Sequence, residues 1–246
     1  MNSQKHPAIH LNPSLDRPAI GRALQAGRRA QVKNIFPKPV ADALYECLSK
    51  QVPWNTIFSE GDQKVHALHP TQVAAMTPAH HQWLTQFVID RARDGYQSLY
   101  ENYPIWDLLD KKIAPDLYVF RFVEFFNSPE FLDFIREISG VDSIAMTDAQ
   151  ATLFRNGHFL ARHTDGDYRT KGRRMAYVLN MTPVWRTEWG GILEFTDDDG
   201  NVIDGFMPAY NTLNLFYVPS WHHVSYVTPF AAAGRYGITG WLRDAT

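Results

Sequence analysis

Apolar positions change their spacing near residue 140. Before it, strand-like and helix-like stretches are mixed. "RRAQVKNIF" alternates and meets a stop at Pro37, which predicts a strand. "PKPVADALYECLSK" places Val40, Leu44 and Leu48 at helical spacing with proline near its start. "PWNTIFSEGD" reads as a second strand ending in a turn. "TPAHHQWLTQFVIDRARDGYQSLYENY" is the longest predicted helix, opened by Thr77 with Pro78 in its first turn. "SPEFLDFIREISG" predicts another, with Ser128 as cap, Pro129 first and Gly140 at its end.

After Gly140, short β-rich runs follow one another: "AQATLFRN", "GHFLARHTD", "RRMAYVLNMT", "GGILEFTD", "NVIDGFM", "TLNLFYV", "HHVSYVTPF" and "RYGITGWLRD". Turn signals such as "DDDGN" and "MPAYN" separate them. This spacing points to a sandwich or barrel of the jelly-roll kind. No repeat, low-complexity linker or domain cut interrupts the chain. The expected architecture is a mainly β fold with α support (α+β). A double-stranded β-helix (jelly roll, cupin-like) in 141–246 forms the core, packed by the helices of an α-rich support in 1–140, as one domain over 1–246.

Composition narrows the setting. The 246 residues are 45% hydrophobic with a formal charge of −2, so no global charge argues for nucleic acid or a membrane surface. No run approaches the roughly 20 apolar residues of a membrane span. The stretch "MNSQKHPAIHLNPSLDRP" has no apolar core and does not read as a signal peptide, so a cytoplasmic home is expected. The one cysteine, Cys47, has no partner for a disulfide or a cysteine metal site. Its helical spacing from Ala43 and Leu44 reads as a core thiol.

Candidate chemistry starts in "GHFLARHTD". His163 and Asp165 are two apart, and residues i and i+2 of a strand share a face. A bare His-x-Asp is more often a polar strand edge than a site. An imidazole plus a carboxylate is nevertheless two thirds of the two-His-one-carboxylate set that suits Fe(II). "PSWHHVSYV" offers His222 and His223 as the missing imidazole, and spacing alone does not choose between them. Three protein ligands leave open positions for a chelating cosubstrate and O₂. A dicarboxylate cosubstrate needs a buried cation at its far end, and Arg235 in "GRYGITGW" offers one. Gly237 and Thr239 share its strand face, leaving space and a hydroxyl. An edge-strand salt bridge is the plainer reading of Arg235.

Taken together, "GHFLARHTD", "MAYVLNMTPVWRTEWGGILEF", "PAYNTLNLFYVPSWHHVSYV" and "RYGITGWL" run in the order found in the Fe(II)/2-oxoglutarate-dependent dioxygenases. The sequence resembles the prolyl-4-hydroxylase-like branch over about 150–243, and more loosely over 28–60. The resemblance implies Fe(II) held by His163, Asp165 and His222, because the family's distal His precedes one residue and then Val, as His222 does. Strand alternation then sends His223 to the opposite face. It implies 2-oxoglutarate held by Arg235, assisted by Thr239, against apolar walls at Leu193 and Phe216. Succinate and CO₂ would be released as a substrate is hydroxylated, with ascorbate keeping the iron reduced.

Two departures stand out. Many relatives carry a Tyr three residues before the Gly that opens the ligand strand, where it hydrogen-bonds 2-oxoglutarate; here Phe154 precedes Gly157. Tyr177 and Asn180 are candidate replacements. The spacing of 13 from His222 to Arg235 also requires a longer loop at "TPFAAAG".

The expected substrate is a prolyl residue of a protein or peptide. A free amino acid or small metabolite is the alternative, and a catalytically silent jelly-roll binding module is a reading from another class. "RTKGRR", 169–174, reads as a solvated loop or an attractor for an acidic substrate. Trp185 and Trp189 could stack on a proline ring or close the core. "DDDGNVIDG" lacks the alternating ligands of a calcium loop and reads as a hairpin turn. His66, His69, His80 and His81 fit no tight metal spacing and are assigned to structure.

Overall fold

The computed structural model describes residues 6–61, 64–166 and 172–245. Helix α1 (Arg17–Gly27) leads into β1 (Arg29–Lys33), α2 (Lys38–Lys50), β2 (Asn55–Glu60) and β3 (Lys64–Leu68). The short α3 (Pro70–Ala74) and α4 (Pro78–Ala92) precede β4 (Ser98–Tyr103), and α5 (Ile105–Asp110), α6 (Tyr118–Phe126) and α7 (Pro129–Ser139) follow. The β-rich half contains β5 (Ile144–Thr147), β6 (Gln150–Phe154), β7 (Phe159–His163), β8 (Arg173–Asn180) and β9 (Leu193–Thr196). It ends with β10 (Val202–Phe206), β11 (Thr212–Tyr217), β12 (His222–Val224) and β13 (Arg235–Asp244).

The strands join in the order β1-β11-β8-β13-β6-β4-β7-β12-β9-β10, with β2, β3 and β5 attached at the side. All pairings are antiparallel. The sheet curls into a nearly closed barrel, the double-stranded β-helix that the strand spacing predicts. Its two ends approach each other: Arg29 on β1 meets Asp204 on β10 at 3.5 Å, and Gln31 donates to the Met207 carbonyl at 3.4 Å.

Alternation along the central strands decides what faces the helices and what faces the barrel interior. Met175, Tyr177 and Leu179 of β8, Leu213 and Leu215 of β11, and Ile238 and Leu242 of β13 join the helix-side core. There they meet a helix buried nearly all round: seven of the nine residues of α6 are buried. Phe126 packs on Phe131 at 4.8 Å and on Tyr177 at 5.4 Å. The alternate residues, including Ala176 and Phe216, turn inward to a second apolar cluster with Leu193 and Phe195. The helices therefore stiffen the outer face of the sheet whose inner face carries the site.

Helix α7 follows its sequence signals: the Ser128 side chain accepts from the Phe131 N–H, and Gly140 caps the far end with φ +70°. The long predicted helix from Thr77 is corrected. It ends at Ala92, and the segment expected to continue it to Tyr103 instead contains β4. Gly95 interrupts the helix, and Leu99 and Tyr103 find burial as strand residues in the sheet. Strand β4 pairs with both β6 and β7, so the first half of the chain supplies a strand at the heart of the barrel. The turn at 197–201 links β9 to β10, with Asp197 accepting from the Asn201 backbone at 2.8 Å. No helix among the described residues is long and apolar enough to cross a membrane.

Truncating Phe126, which is fully buried, tests this support. The Phe126→Ala substitution is expected to cost about 3–5 kcal/mol of unfolding free energy, read from the shift of the urea midpoint.

Candidate metal and anion site

His163 is the last residue of β7 and His222 the first of β12, and antiparallel pairing sets them directly opposite each other. Their rings lie 4.3 Å apart. Asp165 follows two residues after His163 and reaches both rings, with Oδ1 at 3.7 Å from His163 Nε2 and Oδ2 at 3.5 Å from His222 Nε2. The potential ligand atoms of the three residues all lie within 4.8 Å of one another.

The other ring nitrogens explain the orientation. His163 Nδ1 lies 2.9 Å from the Ala161 carbonyl and His222 Nδ1 lies 2.8 Å from the Ser220 carbonyl. A carbonyl only accepts, so each Nδ1 carries the proton and each Nε2 keeps its lone pair for a cation. Burial pushes the His222 pKa down, and the neighbouring His163 adds to this, so its neutral, ligating form is favoured. Separations of 3.5 and 3.7 Å from the Asp165 oxygens to the two Nε2 atoms are short enough for all three side chains to reach one ion. The donor set, two imidazoles and a carboxylate, fits a first-row divalent ion with open positions.

The chain neighbours of the ligands form an outer brace. Alternation turns Arg162 and Trp221 away from the ligand side, and the guanidinium carbon of Arg162 lies 3.9 Å from the centroid of the Trp221 ring. Arg162 also donates to Thr196 Oγ1 at 2.7 Å and to the Asp197 carbonyl at 2.8 Å. Trp221 Nε1 donates to Asp198 at 3.0 Å. This brace ties β7 and β12 to the end of β9. His223 points to the opposite face from His222 and pairs with Glu194 at 2.8 Å.

A cavity of about 320 Å³ opens beside the three ligands. Leu193, Phe216, Thr239 and Arg235 line it, as do Tyr177 and Asp165. Arg235 opens β13, is 4% exposed, and has no carboxylate partner among the described residues. Its Nε has no hydrogen-bond partner, and its Nη2 makes a long contact of 3.5 Å to Asn180 Oδ1. Burial lowers its pKa to about 10, which leaves the guanidinium charged at neutral pH. A buried cation with unused donors is an anion site. Tyr177 sends its hydroxyl to the Asp148 carbonyl at 2.9 Å, whereas Asn180 Nδ2 is buried without a partner.

Trp185 and Trp189 close a small apolar cluster with Phe154, Val224 and Val227 and lie outside the cavity lining. Of "RTKGRR", residues 169–171 lie outside the described residues. Arg173, from its end, lines the cavity, and its guanidinium carbon lies 3.5 Å from the Trp241 ring centroid. Tyr96, Tyr100, Gln150 and Thr152 also line the cavity. Tyr96 and Tyr100 were missed because their segment reads as helix; Gly95 was the signal that the helix stops.

Residues 149–243 match the profile of the 2OG-Fe(II) oxygenase superfamily. Among curated proteins, prolyl 3-hydroxylase OGFOD1 of Mus musculus is 28% identical over 156 residues, covering 61% of this chain and 27% of that protein. The Xenopus laevis counterpart is 28% identical over 124 residues, covering 48% of this chain and 24% of that protein. The chain thus spans about a quarter of the length of these relatives. Among solved structures, a Trichoplax adhaerens prolyl hydroxylase in complex with a hypoxia inducible factor oxygen degradation domain peptide fragment has a TM-score of 0.58 at 17% identity, covering 93% of this chain and 89% of that one. A prolyl-4-hydroxylase from Pseudomonas putida has a TM-score of 0.50 at 16% identity, covering 94% and 100%. These two likenesses establish the shared fold.

Calorimetric titration with Mn(II) separates ligands from neighbours. His222→Ala and Asp165→Ala are expected to abolish binding at the site, and His223→Ala to retain it. Loss of the outer brace in Arg162→Met is expected to weaken Mn(II) binding about tenfold or more.

Proposed function

We propose that the chain is a member of the 2OG-Fe(II) oxygenase superfamily, whose profile residues 149–243 match, and that it is an Fe(II)- and 2-oxoglutarate-dependent hydroxylase acting on a prolyl residue of a protein or peptide. The observation that carries this reading is a three-ligand cluster and a buried Arg235, without a carboxylate partner among the described residues, opening into one cavity. The prolyl target is supported by the named activity of the OGFOD1 relatives, and the peptide by the ligand of the Trichoplax enzyme.

Charge balance favours the cosubstrate. A divalent ion, one carboxylate and one guanidinium leave two positive charges, which a dianion such as 2-oxoglutarate cancels. An apolar cavity strongly penalises an uncancelled charge. His163, Asp165 and His222 would hold the metal beside the cavity that they line. Arg235 binds and orients the distal carboxylate of 2-oxoglutarate, and Thr239 offers a hydroxyl beside it. Leu193, Val178 and Phe216 exclude water from the space between the two anchor points. When bound, Fe(II) supplies the redox chemistry by which 2-oxoglutarate and O₂ give succinate and CO₂ while one oxygen atom converts a substrate C–H into C–OH.

The test is succinate release from 2-oxoglutarate with added Fe(II) and ascorbate, combined with mass analysis of candidate peptides for the gain of one oxygen at proline. His163→Ala is expected to abolish release. Arg235→Met is expected to raise KM for 2-oxoglutarate about a hundredfold, since it removes a buried charge–charge contact. Wild-type protein that binds no metal under reducing conditions would point instead to a silent jelly-roll module. Oxygen gain on free amino acids but not on peptides would move the target to small molecules.

A further inference from the structure

We infer that Tyr100, on a strand contributed by the first half of the chain, donates a hydrogen bond to the distal carboxylate of the cosubstrate, the role for which Phe154 has no polar atom. The inference rests on the 2-oxoglutarate reading of Arg235 and deepens it.

Strand register brings the residues together. On β13 and β6, Arg235 is paired with Phe154, Gly237 with Thr152, and Thr239 with Gln150. On β4 and β6, Asn102 is paired with Thr152. Continuing that antiparallel register sets Tyr100 opposite Phe154, and their rings stack at 5.4 Å and 14°. Arg235 completes the row, with its guanidinium carbon 5.1 Å from the Phe154 ring centroid. Tyr100 and Arg235 thus flank Phe154 from strands two apart, about 10 Å at the backbone. That gap suits a carboxylate held between two side-chain ends.

Both ends lean the same way along the strands. Arg235 reaches Asn180, which is paired with Gly237 in the next row. The Tyr100 side chain lies beside that of Gln150, which is one row beyond Gly237, and both line the cavity. Gly237 lies between, where a Cβ would press on the Leu179 carbonyl at 2.9 Å and lie 3.6 Å from Thr152 Oγ1.

Among the described residues the Tyr100 hydroxyl has no hydrogen-bond partner of ordinary geometry, and the neighbouring Gln150 Oε1 already accepts from Asn102 Nδ2 at 3.0 Å. The Tyr100 O–H is therefore available to the cavity that its side chain lines. Burial raises the Tyr100 pKa, which keeps that proton in place at neutral pH. Thr152 and Thr239 border the same space with shorter reach.

The experiment is anaerobic calorimetry of Fe(II)-loaded protein with two probes: 2-oxoglutarate, and 2-oxobutyrate, which keeps the chelating end and lacks the distal carboxylate. Tyr100→Phe is expected to weaken 2-oxoglutarate binding about tenfold or more, leave 2-oxobutyrate binding within twofold, and leave the thermal midpoint in place. Adding Phe154→Tyr to Tyr100→Phe restores a hydroxyl in the same row and is expected to recover part of the affinity. Equal weakening of both probes, or no weakening of either, would overturn the role of Tyr100. Arg235→Met is the parent control. If it weakens 2-oxoglutarate selectively while Tyr100→Phe does not, only the tyrosine assignment falls. If Arg235→Met has no effect either, the anion-site reading falls with it.

Discussion

The site depends on one cross-strand pair. His163 and His222 come from strands separated by 58 residues of chain, and only the antiparallel pairing of β7 with β12 places them opposite each other. Once paired, each ring is fixed by a backbone carbonyl at its Nδ1, so both Nε2 atoms meet at Asp165. Rotating either ring would break a short hydrogen bond in a buried place. That restraint makes the constellation a rigid receptor for a cation rather than three mobile side chains. The Arg162–Trp221 stack repeats the pairing on the outer face, so the same register is held from both sides.

The second constraint is electrostatic. Arg235 is buried without a carboxylate among the described residues, and its Nε, like Asn180 Nδ2, has no partner. A folded protein tolerates such unused donors at a functional site because a ligand satisfies them on binding. The helices make this tolerable. Their apolar faces cover the outer side of β8, β11 and β13, and the energy of that large core offsets the unsatisfied polar atoms on the inner face. Support and site are thus two sides of the same strands, assigned by alternation.

Legibility in the sequence varied with the range of the interactions involved. Helix α7 was readable because its cap, its proline and its terminal glycine are local signals that tertiary contacts did not contradict. The β-rich runs after Gly140 were readable for the same reason. The segment after Ala92 was not, because "YQSLYENY" follows a good helix without a proline. It becomes a strand by pairing with β2, β6 and β7, which are distant in sequence. Helix α6, "YVFRFVEFF", drew no expectation, since its dense aromatic and β-branched residues equally suit a strand, and only Arg121 and Glu124, three apart, mark an exposed helical face. The two cavity-lining tyrosines, Tyr96 and Tyr100, went unseen with their segment.

By itself, the sequence determined the class of fold and the chemistry on offer: alternating runs for a barrel, a histidine and a carboxylate two residues apart, and an arginine in an apolar strand. Those are properties of neighbours in the chain, set by backbone geometry alone. How the imidazoles meet the carboxylate, which polar atoms remain unpaired, and which tyrosine stands across from Arg235 were decided only when the sheet closed. Register between distant strands has no local signature. It is fixed by burial of the whole face at once, and a slip of one residue would turn every one of these side chains to the other side.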